Sequence, residues 1–146
     1  MPYLINKDIK YLIKTNSIRT SSSFNRNQIQ PASLDLSLSS KCYRIKASFI
    51  PNQQSISKII NELSLVQIDL NKEYLFEKNC IYLCELNESL NLPKKIKGKA
   101  NPKSTTGRLD IFTRLITEYG TEYDEIGYNY SGKLYLEIIP QSFSIK

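Results

Sequence analysis

Apolar residues recur along this chain at two spacings, and the switch between them marks its elements. Between residues 6 and 16, Ile9, Leu12 and Ile13 fall on one side of a 3.6-residue period, which predicts a short amphipathic helix. Asn6 suits its N-cap, Asp8 favours the positive helix start, and Asn16 suits its stop. Ser55 predicts the cap of a second short helix over residues 56–63. Elsewhere the period is two. Leu34, Leu36 and Leu38 alternate with Asp35 and Ser37, the pattern of a half-buried strand, and residues 41–49 read as its neighbour. Residues 65–70 and 74–76 read as short strands, and 80–86 as a better one. Residues 109–116 and 134–139 are rich in β-branched and aromatic side chains and predict two more. Residues 17–30 are rich in Ser, Asn and Arg and read as a loop. Many short strands at close spacing with two small helices predict a mainly β fold, a sandwich or jelly-roll-like barrel with helical trimmings. No repeat or linker divides the chain, so residues 1–146 read as one domain.

Composition narrows the partners. The net charge of +6 favours anionic ligands: nucleotides, nucleic acid or acidic lipid. The densest basic run, residues 94–99, holds four lysines and reads as a solvated hairpin edge, not as a nucleic-acid track. No apolar run approaches a membrane span. Three cysteines, Cys42, Cys80 and Cys84, without a secretory signal, argue for reduced thiols in a cytoplasmic setting. Cys80 and Cys84 share a strand face and read as packed small hydrophobes. The chain has no histidine, which excludes Ser-His and Cys-His nucleophile pairs and any His-containing zinc site.

Two features carry chemistry. Residues 100–109, Ala-Asn-Pro-Lys-Ser-Thr-Thr-Gly-Arg-Leu, gather hydroxyls and cations between a proline and a glycine. A single turn there can aim Ser104 and Arg108 the same way and form a receptor for phosphate or a polar base. Taken alone, such a cluster more often marks a plain polar loop. The second feature is Glu137, the only charge in residues 134–139. A carboxylate in an apolar run is costly unless paired or used, and Arg108 is an available partner.

Taken in order, several segments resemble one known family. They are Lys7-Asp8-Ile9, Gln30-Pro31-Ala32-Ser33-Leu34-Asp35-Leu36, Glu88-Ser89-Leu90-Asn91-Leu92-Pro93, residues 103–109, Ser131-Gly132 and Leu134-Tyr135-Leu136-Glu137-Ile138. Together they resemble the dCTP deaminases of the dUTPase-like superfamily, and most of all the longer bacterial branch. The resemblance implies a distorted β-barrel of the β-clip kind, a trimer with active sites between subunits, and zinc-independent deamination of dCTP to dUTP and ammonia. It implies that Glu137 is the general base and that Ser104 and Arg108 are its catalytic companions. It places Lys103 and Thr105 near the substrate, Asp124 in the sugar-binding turn and Tyr130 against the pocket. Mg²⁺ is expected to arrive on the substrate triphosphate, and dTTP is a candidate inhibitor.

The family pattern continues well past Glu137, while this sequence ends nine residues beyond it at Lys146. The expectation is therefore a domain shortened at its C-terminus, or one completed by a segment on another chain. Two other readings stand beside deamination. One is a dUTPase, or a bifunctional enzyme making dUMP, with Asp124 activating water. The other is a nucleotide-binding remnant without catalysis.

Overall fold

The computed structural model describes residues 3–102 and 110–146. Two helices and eight strands lie among them, so the mainly β reading holds. Helix α1 spans Asn6–Lys14 and buries Ile9 and Leu12. Ile13 packs at the edge of the same stripe. The cap lies one residue earlier than expected, at Ile5: the Asp8 carboxylate accepts from the Ile5 N–H at 3.0 Å, so the first turn is closed from inside. Asn16 ends it as expected. Its φ of 64° is left-handed, its N–H donates to Ile13 O, and the Ser17 N–H donates to Leu12 O. Those two bonds are the Schellman closure. Helix α2 spans Ile56–Leu63 with Ser55 as N-cap, its hydroxyl accepting from the Lys58 N–H.

The strands are β1 (Ile18–Thr20), β2 (Leu38–Ile45), β3 (Ser64–Asp69), β4 (Ile81–Asn91), β5 (Gly98–Lys99), β6 (Ile111–Thr117), β7 (Glu125–Ile126) and β8 (Ser131–Pro140). The main sheet runs β3-β2-β4-β8-β6 with every neighbour antiparallel. Strand β4 is shared along its length: its first part pairs with β2, and residues 88–90 pair with β1. Strands β5 and β7 form a separate pair. Among the described residues the sheet is open, with β3 and β6 at its ends.

Three expectations are corrected. Residues 17–30 are not all loop: they contain β1 and a 3₁₀ turn at Arg26–Gln28. Their polar composition hides β1 because only Ile18 is buried there, and the strand exists through its pairing with β4. Residues 34–38 are not a separate strand. Leu34 forms an isolated bridge with Ile29, and the chain joins the sheet at Leu38. The reason lies at Ser37, whose N–H and hydroxyl both donate to the buried Glu88 carboxylate at 2.7 Å. Residues 74–76 contribute one bridge, Phe76 to Ile145, and no strand.

Side-chain alternation gives the sheet two covered faces. Leu134, Leu136 and Ile138 of β8 lie with Leu115, Tyr82, Cys84 and Leu86, and α1 covers one end of this face. Tyr135 lies on the other face with Leu83, Ile116 and Ile45, under Ile56 of α2. Cys84 meets Cys42 across the β2–β4 register with the sulfurs 2.8 Å apart, both thiols free and fully buried. The hydrogen bond that Cys84 donates to Cys42, then burial, pushes the Cys84 thiol far up from its usual range. Cys80 packs at the edge of the same cluster, half-buried beside Arg44.

Candidate active site

Glu137 occupies the α2-covered face of β8, two residues from Tyr135, and is fully buried. The antiparallel register sets Arg114 of β6 directly opposite it. Arg114 donates from Nε at 3.0 Å and Nη2 at 2.8 Å, both to Glu137 Oε1. The other carboxylate oxygen, Oε2, is buried without a hydrogen-bond partner among the described residues. The expected partner was Arg108. That residue lies outside the described residues, and the structure gives the ion pair to Arg114.

Arg114 is itself clamped. Its guanidinium carbon lies 3.8 Å from the Tyr123 ring centroid and 4.9 Å from that of Phe112. Both contacts are of cation–π range. The Tyr123 hydroxyl donates to the Phe49 carbonyl at 2.9 Å, which fixes the ring from its far end. Burial raises the Tyr123 phenol above its ordinary value, the Arg114 charge opposes that, and the Glu137 charge adds to it.

Asp124 adjoins this cluster through the backbone. It has a left-handed φ of 62°, which aspartate tolerates better than most residues. Its Oδ1 accepts from the Leu115 N–H at 2.7 Å, its own N–H donates to Leu115 O, and its carbonyl accepts from the Ala100 N–H. Asp124 thus staples the loop carrying Tyr123 to the free side of β6, beside Arg114. It also ties that loop to the segment leading into residues 103–109.

Tyr130 has a different setting. Its hydroxyl accepts from the Glu118 N–H at 2.9 Å and donates to the Lys133 carbonyl at 2.5 Å, while its ring packs on the α1-side core. Burial pushes its phenol up to about 12. These bonds hold the start of β8 to the end of β6. Gly132, at φ 156°, lies below the Tyr130 hydroxyl, where an added Cβ would come within 2.9 Å of it. Lys103, Ser104, Thr105 and Arg108 all lie outside the described residues.

Sequence reasoning missed Arg114, Tyr123 and Phe112. The signal was present: Arg114 is the lone charge of residues 111–117, as Glu137 is of residues 134–139. A second buried carboxylate, Glu88, belongs to the scaffold. It accepts from Ser37 N, Ser37 Oγ and, at 3.1 Å, Gln28 Nε2, so both its oxygens are occupied. The two glutamates differ in that respect, since among the described residues only one oxygen of Glu137 is bonded.

A buried carboxylate paired with an arginine beside aromatic rings, on a mainly β scaffold, is an arrangement that can act as a general base. The family model for the 2'-deoxycytidine 5'-triphosphate deaminase (DCD) N-terminal domain matches residues 3–146, and the chain belongs to that family. The crystal structure of 2'-deoxycytidine 5'-triphosphate deaminase from Agrobacterium tumefaciens superposes with a TM-score of 0.94 at 43% sequence identity. The match covers 97% of this chain and 43% of the Agrobacterium chain. A comparison with curated proteins found no match.

Proposed function

We propose that this domain serves the zinc-independent hydrolytic deamination of dCTP to dUTP and ammonia. The observation that carries the reading is Glu137, buried and anchored through one oxygen, on a scaffold of this family. Water must add to C4 of cytosine. Glu137 takes a proton from that water as its oxygen bonds to C4, then passes the proton to the exocyclic nitrogen. The remaining proton of the C4 hydroxyl ends on N3, ammonia leaves, C4 becomes a carbonyl, and dCTP plus water has become dUTP plus ammonia. Proton transfer by a positioned group is worth roughly 10²- to 10⁴-fold. Ser104 is assigned to orient the water, Arg108 to stabilise the intermediate, and Lys103 and Thr105 to bind the substrate. Asp124 and Tyr130 shape the sugar side through the loop and strand they hold.

No histidine and no Cys-x-x-Cys motif occur in the sequence, which supports a route without zinc. No three His, Cys, Asp or Glu side chains gather among the described residues, so Mg²⁺ is assigned to the substrate's phosphates. The open ends of the sheet at β3 and β6 favour completion by further strands, from trimer partners or from a C-terminal segment on another chain. No helix among the described residues is long and apolar enough to cross a membrane. Free cysteines fit a cytoplasmic setting. The dUTPase reading ranks second because the matching family model and the superposed crystal structure are both of dCTP deaminases.

The test is incubation of the purified protein with dCTP and Mg²⁺, followed by chromatographic separation of dCTP, dUTP and dUMP. Formation of dUTP with ammonia supports deamination, and dTTP added to the same assay shows whether it inhibits. Direct formation of dUMP moves the assignment to a bifunctional enzyme. Nucleotide binding without ammonia release leaves a non-catalytic domain.

A further inference from the structure

The Arg114–Glu137 pair has an unusual geometry for a purely structural ion pair. An arginine and a carboxylate usually meet fork to fork, with two N–H groups on two oxygens. Here Nε and Nη2 both converge on Oε1. The carboxylate is fully buried, and its Oε2 has no partner among the described residues. Leaving a buried acceptor empty is costly, and a structural pair would relieve that cost by sharing its donors.

The guanidinium is not free to adjust. Tyr123 and Phe112 hold its plane at 3.8 Å and 4.9 Å, and Tyr123 is tethered in turn to the Phe49 carbonyl. Asp124 fastens the loop that carries Tyr123 to Leu115, next to Arg114 in β6. The carboxylate is thus immobilised through one oxygen by a rigid, aromatic-walled cation.

We propose that Arg114 is a positioning residue that orients Glu137 so that Oε2, and not Oε1, exchanges the proton with water and the leaving nitrogen. This rests on the deaminase reading given above. Oε1 is saturated by two charge-assisted donors and is the poorer base of the two oxygens. Oε2 is the one left for the water. Arg114 acts through Glu137 and does not itself touch the substrate.

The experiment compares steady-state dCTP deamination by the wild-type protein, R114A, R114K, E137Q and the R114A/E137Q double variant, with a melting temperature for each. R114A is expected to lose about 10²-fold in kcat while KM stays within about threefold, because orientation in the transition state is lost and not substrate binding. R114K keeps the charge but not the paired donors, and falls between wild type and R114A. Added guanidinium ion restores part of the R114A turnover and none of the double variant's. The double variant is no slower than E137Q alone, since the two residues act as one unit. If R114A does not fold, R114K carries the same comparison. Wild-type kcat in either folded variant overturns the inference, as does a loss confined to KM or one that tracks the loss of folded protein. A wild-type protein that releases no ammonia overturns the deaminase reading and this inference with it; an active wild type with an unaffected Arg114 variant overturns this inference alone.

Discussion

Glu137 is legible in the sequence because it is the only charge in residues 134–139. Glu137→Gln keeps the shape and a hydrogen bond to Arg114 but cannot take the proton, so deamination should fall by at least ~10²-fold with dCTP binding kept. Turnover near wild type in that variant would remove Glu137 from the mechanism. The identity of its partner is not legible in the same way. Sequence reasoning offers Arg108, which lies outside the described residues, and Arg114 emerges only through the β6–β8 register, which sets residue 114 opposite 137. Tyr130 shows the same limit. The family resemblance sets Tyr130 against the pocket, and only the fold shows that its hydroxyl also spans two backbone groups. Tyr130→Phe strands the Glu118 N–H and the Lys133 carbonyl and should cost about 1–3 kcal/mol in urea unfolding. A variant as stable as wild type would show that water takes over both bonds.

At the scale of elements, caps read well and strand limits do not. Asn16 is a stop by residue type, and the structure gives it the left-handed φ and both Schellman bonds. Asn16→Ala should destabilise by about 1 kcal/mol, whereas Asn16→Gly should be neutral or stabilising, because only the alanine meets the left-handed penalty. Thermal unfolding of the two variants checks this, and equal melting temperatures would show that the motif is not needed. Ser55 caps α2 as expected, and the Glu118 carboxylate adds a second acceptor to that end, at 3.0 Å from the Ile56 N–H. Glu118 comes from another part of the chain, so no local reading could find it. Strand β4 extends to Asn91, five residues beyond its apparent end. Glu88 hides the extension by putting a charge where Leu86 and Leu90 keep the inward alternation. Its partners, Gln28 and Ser37, are distant in sequence, and only the fold brings them to it.

The whole molecule depends on neutral tyrosines in its interior. Burial raises Tyr82 and Tyr130 from 10.0 to about 12. An unfolded tyrosine gives up its proton near pH 10. Between about pH 10 and 12 the unfolded chain therefore releases protons that the folded chain keeps, and stability falls as pH rises. Below pH 10 this contribution is fully present. Urea midpoints should hold level up to about pH 10 and then drop, with tyrosinate absorbance rising together with unfolding. Midpoints that stay level to pH 11.5, with the tyrosines titrating freely, would show that these rings open to solvent without unfolding.

The sequence by itself determined the mainly β class, both helices with the Asn16 stop and the Ser55 cap, the strands around 65–70, 111–116 and 134–139, and the isolated charge of Glu137. Each of these depends on local periodicity, residue type or an isolated charge, and such signals survive without knowledge of distant contacts. Tertiary structure alone decided that Ile18–Thr20 is a strand, that Leu34 stands outside the sheet, and that Cys84 meets Cys42. It also decided that Arg114 meets Glu137 and that, among the described residues, both donors fall on one of its oxygens. Those outcomes are set by strand register, which brings together residues far apart in the chain and assigns each side chain to one face of the sheet.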